Sequence, residues 1–592
     1  MGRVPTLLGA CLLVAAASAS GPAPEPPRVD DFALLDQHGR FHRLSSHAAA
    51  RAVVLFVQGN GCPIARNSIP VLNALRAEFE PRGAVFLALN ASPQDERAAV
   101  AAEAAAYGLE LPVLLDEAQL VSGSLGVERT AETFVIDPAS RRLLYRGPVD
   151  DRLHYETQRP ARREYLREVL EAQLAGRPLP FERRPSPGCL ILFEARPGAG
   201  GGPRGSAREA GAPSYARDVA PILMDRCRGC HRDGGVAPWA MTSFAMLRGW
   251  SPMLREVILT RRMPPWHADP AVGRFSNDIS LRPEEARALV RWVEAGAPRG
   301  DGPDPLAEQP AAAPPEWPLG PPDLVLAGER QEVPATGVVP YRYETLDVPL
   351  ERDVWLRAAD VRPSNPAVAH HATAYLVYPS GAPPSQVEGP HFARGLFAGY
   401  VPGREPEIFP EDTGFFLPRG TRIRFQLHYD PTGRPEVDVP RIGLYFAHAP
   451  RRHALQIGAA ANLDFEVPPG ASDHEAVAVR ALSRDVVVYR LTPHMHYRGK
   501  RMAIEAHHAD GTRELLLNVP NYSFGWQRQY VLAEPKLLRA GTRIVARAGF
   551  DNSAANPANP DPTVSVRWGE QSFEEMLIGY VLYRDAEPGE GS

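Results

Sequence analysis

Lysine is almost missing from this chain. Lys500 and Lys536 are its two lysines in 592 residues, and arginine carries the rest of the positive charge. The formal net charge is −5, which gives no footing for a nucleic-acid or anionic-membrane partner. Arginine in place of lysine fits a bacterial genome of high GC content, an association and not a physical argument. Long apolar runs are scarce too. After "LLGACLLVAAA" (Leu7 to Ala17) none approaches the ~20 residues that a membrane span needs. Cysteine stops at Cys230, so no disulfide can staple the C-terminal part of the chain, which must be held by its own cores.

What is present divides cleanly. Arg3, the apolar run and the small residues "ASAS" before Gly21 read as a secretory signal over 1–20, so the mature protein is expected to be exported, periplasmic or secreted, with no membrane span. Cys11 leaves with that segment. Cys227 and Cys230 share one motif, and Cys62 and Cys189 remain as a possible pair in an oxidising compartment. The length prior is about three to five domains. A Gly-rich linker over 196–212 and a Pro-rich one over 300–321 separate three blocks, 28–195, 213–299 and 322–586. Eleven of the 17 histidines follow residue 369, so a histidine site belongs in the last block.

The first block alternates strand and helix patterns: "AVVLFVQG", then "IPVLNALRAEFEPRG", then "AVFLALNA", then a hairpin from "ETFVID" to "RRLLYRG". Together with "GNGCPIARNSIPVL", this α/β pattern resembles the thioredoxin/redoxin fold. The resemblance puts Cys62 at a helix N-terminus, where the helix dipole and free N–H groups favour thiolate. The family's dithiol spacing falls on Ala65, so the expectation is a Cys62–Cys189 disulfide, structural or redox-active, rather than a peroxidase.

The second block carries "CRGCH", Cys227 to His231. In C-x-x-C-H the two thiols form thioethers to a haem and the histidine is an axial iron ligand. A zinc half-site or a chance match is the bland alternative. A short helix before the motif and the closing helix "PEEARALVRWVEAG" resemble a small, all-α monohaem cytochrome c domain. Met263 is the candidate second axial ligand and His267 its competitor, whereas Met241, Met246 and Met253 read as core.

The third block is all short strands and turns. In "RLTPHMHYRGK", His494 and His496 alternate with Met495 and share one strand face, a two-point metal clamp or simply a polar face. His370 and His371 are adjacent, so both serve one metal only at a bulge or a strand end. His428 shares a face with Arg424 and Gln426, and Met576 opens an apolar strand. In this order, with "FAGYVPG" and "NYSFGWQRQY" between them, the features resemble the type II copper monooxygenases, the family of peptidylglycine α-hydroxylating monooxygenase and dopamine β-hydroxylase. The resemblance implies two jelly-roll sandwiches, 322–455 and 456–586, with a solvent-filled cleft between. It implies an electron-transfer copper at His370, His371 and His428 and an oxygen-activating copper at the catalytic His494, His496 and Met576. His391, His448, His453, His474, His507 and His508 are read as surface or structural.

The whole therefore reads as an exported copper monooxygenase with two copper ions and one covalent haem c. It would hydroxylate a C–H bond of an unidentified small-molecule or peptide substrate with O2, fed by an external electron donor through the haem. The alternatives are a non-hydroxylating electron-transfer or copper-handling protein, and a thiol-disulfide redox enzyme using Cys62.

Overall fold

Ala52–Gln58 is apolar on both faces and buried at every position, the signature of a central strand. It pairs in parallel with Ala84–Asn90 and antiparallel with Thr133–Asp137 in a six-stranded sheet. The amphipathic helix Pro63–Phe79 packs Ile64, Ile69, Leu72, Leu75 and Phe79 onto it. The computed structural model describes residues 27–155, 157–179, 181–193, 213–309, 315–381, 392–403 and 405–590. The expected signal segment, the Gly-rich linker and His391 lie outside the described residues. Among the described residues, no helix is long and apolar enough to cross a membrane.

The second block is helical, with Ala220–Arg226 leading into the C-x-x-C-H loop and Phe244–Gly249, Ser251–Leu259 and Pro283–Glu294 following. The Pro-rich stretch is not all linker. Leu306 is buried in the helical core, and Asp304 takes a hydrogen bond from the Phe244 N–H at 2.7 Å. An apolar side chain inside a Pro-rich run thus carries this block to Glu308, past the boundary at 299.

The third block holds two four-stranded sheets and one nine-stranded sheet. Arg342–Asp347, Arg422–Tyr429, Ala369–Val377 and Leu396–Tyr400 form the first four-stranded sheet. His474–Ala481, Arg543–Phe550, Gly499–His507 and Arg513–Val519 form the second. Each closes a separate apolar core against one half of the nine-stranded sheet. That long sheet runs unbroken through both halves, because Thr413–Leu417 pairs in parallel with His453–Ala461. The two expected sandwiches are therefore fused along one face. Tyr341, Phe524 and Gln527 each touch residues of both halves on the other. A cavity of about 180 Å3, lined from both halves, lies between them.

The first two blocks pack onto the third. Gln158 Nε2 donates to the Pro431 carbonyl at 2.8 Å and Arg159 Nη1 to the Asn559 carbonyl at 3.1 Å, so the α/β block touches both halves. From the helical block, the segment around Phe275 pairs with Leu532 at the edge of the strand Tyr530–Leu538.

Candidate functional site

The histidine pair solves its own geometry. The register of Ala369–Val377 against Arg422–Tyr429 slips between Ala369 and His371, leaving His370 as the extra residue of a β-bulge. The bulge turns both rings to one side, and His371 lies directly opposite His428. The Nδ1 of His370 is 3.2 Å from the Nδ1 of His371 and 3.2 Å from that of His428. Among the described residues these three are the one group of histidine, cysteine or carboxylate ligands close enough together to hold a metal ion.

All three rings are buried, and burial holds their pKa values below the usual histidine range, so they are neutral. A neutral imidazole has one N–H and one lone pair, so three converging Nδ1 atoms cannot all be satisfied by one another. A cation at the centre relieves that repulsion. Nitrogens bound tetrahedrally at about 2.0 Å lie about 3.3 Å apart, close to the observed spacing. Asp430 approaches His370 from outside, its Oδ2 at 4.0 Å from Nε2.

The second group presents the other ring nitrogen. His494 ends its strand, and His496 lies just beyond it with ring centroids 5.2 Å apart. His496 Nδ1 donates to the Glu574 carbonyl at 3.3 Å, and a carbonyl can only accept. His496 Nε2 is left as a lone pair, buried and without a hydrogen-bond partner. His494 Nδ1 donates to Gln527 Oε1 at 2.8 Å, which frees its Nε2 likewise. A buried acceptor with no donor is what a metal ligand looks like without its metal. Met576 is buried, and with His494 and His371 it lines the 180 Å3 cavity, beside Tyr341, Tyr400 and Tyr580.

Residues that sequence reasoning passed over join these groups. Gln527 Nε2 is 3.5 Å from His371 Nδ1 while its oxygen holds His494. Phe524 stacks on His370 at 4.8 Å and stands 5.7 Å from His496. Tyr341 lies 4.7 Å from His428 and 6.3 Å from His496. Glu575 is fully buried and accepts from the backbone N–H of His496 (2.9 Å), Arg498 (2.6 Å) and Met576 (3.2 Å). Burial raises its carboxyl to about 7. Its place beside Met576, and the "NYSFGWQRQY" segment, were the available signals. Of the remaining histidines, His507 pairs with Glu505 at 2.6 Å and His453 faces Glu587 at 3.6 Å.

The C-x-x-C-H loop leans on the same region. His231 Nδ1 donates to the Trp239 carbonyl at 3.2 Å, leaving Nε2 to act as a ligand. This orientation, with both thiols on the loop, fits a covalent haem. The side chain laid on His231 is Trp239, with ring centroids 4.8 Å apart, and not Met263 or His267. Met263 packs against the cluster of Cys62 and Trp250, and His267 sits near Arg528, brought down by burial to about 4. A Cβ on Gly403 would stand 3.2 Å from Cys230 Sγ and 3.3 Å from Arg528 Nη2, so the "FAGYVPG" loop and Arg528 touch the motif. Arg528 directly follows Gln527.

Cys62 caps the helix Pro63–Phe79, as the α/β pattern requires. Cys189 Sγ is 3.0 Å away, both are free thiols here, and the expected disulfide is not formed. Thr130 lies between them: its hydroxyl donates to Cys62 Sγ at 2.9 Å and accepts from the Cys189 N–H at 2.8 Å. Nothing in the sequence marked Thr130, which is 68 residues from Cys62. Burial alone raises the Cys62 thiol, but hydrogen bonds from Cys189, Thr130 and the Ala65 N–H outweigh it and bring Cys62 down to about 6. The hydrogen bond to Cys62 and burial push Cys189 up.

The AhpC/TSA family model matches residues 27–141. The thiol-disulfide oxidoreductase ResA of Geobacillus thermodenitrificans is 31% identical over 107 residues, 18% of this chain and 60% of that protein. The chain thus spans about three-fifths of the length of the curated relatives it matches. A hypothetical protein from Sinorhizobium meliloti is 27% identical with a TM-score of 0.27, covering 30% of this chain and 98% of the other. A DsbE-like thiol:disulfide interchange protein from Chlorobium tepidum is 23% identical with a TM-score of 0.22, covering 26% and 99%. The N-terminal block is a thioredoxin-like redoxin domain, and many β-strands follow elsewhere in the chain.

Proposed function

We propose that the β-rich block is a copper-dependent monooxygenase of an exported protein, hydroxylating a substrate C–H bond, with the helical block a monohaem cytochrome c domain that supplies electrons. The observation that carries this reading is the pair of buried imidazole groups. One has three converging Nδ1 atoms, and the other has an orphaned Nε2 on His496 next to His494, which lines one cavity with the buried Met576. Copper at these groups and a haem on Cys227, Cys230 and His231 supply the redox chemistry: substrate C–H, O2, two electrons and two protons give substrate C–OH and water.

The chain's own residues have distinct parts in this. His370, His371 and His428 hold the first ion with imidazole only, which suits both copper oxidation states. His494, His496 and Met576 would hold the second, where a soft thioether would favour Cu(I). Glu575 and the Glu574 carbonyl fix the His496 backbone and ring, and Gln527 fixes His494. Phe524, Tyr341 and Tyr580 keep water from the rings, and the cavity between His371 and His494 receives a compact substrate. Arg528 and Gly403 hold the CRGCH loop one residue from Gln527. The test is stopped-flow mixing of ferrous haem with copper-loaded protein: haem oxidation should be at least 10-fold faster than in a Met576→Ala, His371→Ala double variant. Equal rates would sink the proposal.

A second reading has its own observation. The relatives back thiol chemistry in the redoxin domain more directly than copper chemistry in the β block, and Cys62, Cys189 and Thr130 are placed for it. On that reading Cys62→Ser abolishes activity towards a disulfide substrate while Met576→Ala leaves it unchanged. The ultraviolet thiolate absorbance of the reduced chain should titrate near pH 6 and vanish in Cys62→Ser. Because this thiol is lowered from 9.0, the stability it contributes is present above the unfolded value and is lost as pH falls through about 6.

A further inference from the structure

The thiol pair and the CRGCH loop are in contact through two stacked tryptophans. Gly61, the residue before Cys62, has φ +75°, and a Cβ there would stand 3.2 Å from Trp239 Cβ and 3.3 Å from Trp250 Cζ2. The glycine lets both rings close over the Cys62 turn. Trp239 and Trp250 lie almost parallel, 4° apart with centroids at 4.9 Å, and Trp239 then meets His231 at 4.8 Å. Trp250 belongs to the same buried cluster as Cys62 and Cys189, and Trp239 packs against that cluster. The contact is fixed on the other side as well: the Leu190 N–H, next to Cys189, donates to Met253 Sδ at 3.0 Å, and Arg66 Nη1 donates to the Pro238 carbonyl at 3.1 Å. Neither thiol is used by the copper chemistry.

We propose that Cys62 and Cys189 are a two-electron store that discharges through Trp250 and Trp239 towards the haem on the CRGCH loop. This rests on the haem assignment made above. The step balances as one S–S bond formed between Cys62 and Cys189, one proton released from the Cys189 thiol, and two electrons given up by the Cys62 thiolate and Cys189 thiol together. The electrons leave singly, since a c-type haem accepts one, so a one-electron oxidant must clear the haem between transfers. The sulfur neighbour 3.0 Å away captures the half-oxidised thiol after the first transfer. Two electrons per discharge is also what one hydroxylation with O2 consumes.

The experiment uses the full chain, free of copper, reduced with dithionite under argon, desalted, and titrated with ferricyanide while the haem spectrum is followed. The wild-type chain should take about three electron equivalents per haem before the spectrum stays ferric, two from the thiols and one from the iron. Cys62→Ser and Cys189→Ser should each take about one. Trp250→Leu, which leaves the His231 contact in place, should still take about three while haem re-reduction after each addition slows at least 10-fold. About one equivalent in the wild-type chain overturns the store, and an unchanged rate in Trp250→Leu overturns the tryptophan route. A chain with no covalent haem overturns the underlying assignment as well, and that failure is visible in the spectrum before any oxidant is added.

Discussion

On the proposed reading, a His428→Ala chain is expected to bind one copper ion and the parent two. His428 is 1% exposed and sits directly across the strand pair from His371, with its Nδ1 3.2 Å from His370. Removing it leaves two imidazoles, still held by the bulge, around a point that now lacks its third donor. Loss of a partner outside the ligand set already costs 10–100-fold in metal affinity, so loss of a ligand should cost more than about 100-fold. The measurement is metal content after dialysis against micromolar copper, together with the electron paramagnetic resonance signal of the oxidised protein, which should fall by about half. His474→Ala, on the outer strand His474–Ala481, should leave both readings at the parent value. Full copper in His428→Ala would mean that the three converging rings are a packed histidine cluster and not a metal site.

Glu575→Ala should be the most damaging single change in the C-terminal half. The carboxyl group takes three backbone N–H groups in a fully buried setting and is, ahead of Asp561, the larger of two carboxyl influences on Arg498, which is itself 1% exposed. Alanine leaves three buried donors without an acceptor and removes the larger carboxyl influence on the buried Arg498, a loss of roughly 3–5 kcal/mol. Glu575→Gln is gentler. Its single oxygen can still serve His496 and Met576, which share one carboxylate oxygen, but its NH2 must face the Arg498 N–H, costing about 1–3 kcal/mol. Thermal unfolding of the copper-free chain should rank parent, Gln and Ala in that order. Copper titration should show the His494 site weakened 10–100-fold in Glu575→Gln and the His370 site unchanged. Equal weakening of both would argue for general loosening of the fold and against a positioning role.

Much of the candidate site was legible because its side chains sit in local patterns. "HMH" and "CRGCH" are short-range statements, and the bulge at His370 follows from asking how two adjacent strand residues can face one way. The burial of His428 was not legible. Its strand neighbours Arg424 and Gln426 made the face look wet, and only the cover supplied by Tyr341 and Phe524, from other parts of the chain, makes it dry. Thr130, Gln527 and Glu575 were missed for a related reason: each acts through hydrogen bonds to groups between 33 and 156 residues away as well as to close ones, or to backbone atoms that carry no side-chain identity.

By itself, the sequence determined the α/β character of the first block and the β character of the last, and it singled out the histidines and cysteines that the fold then brings together. Period-two and helical patterns, caps and turn residues act over a few positions, and one chain is enough to display them. The tertiary structure alone decided that the two β halves share one continuous sheet, that residues of both line one cavity, and that Cys62 shares a buried cluster with Trp250 while Trp239 bridges to His231. These are contacts between surfaces far apart in the chain, and their energy comes from shape and burial, which no local spacing encodes.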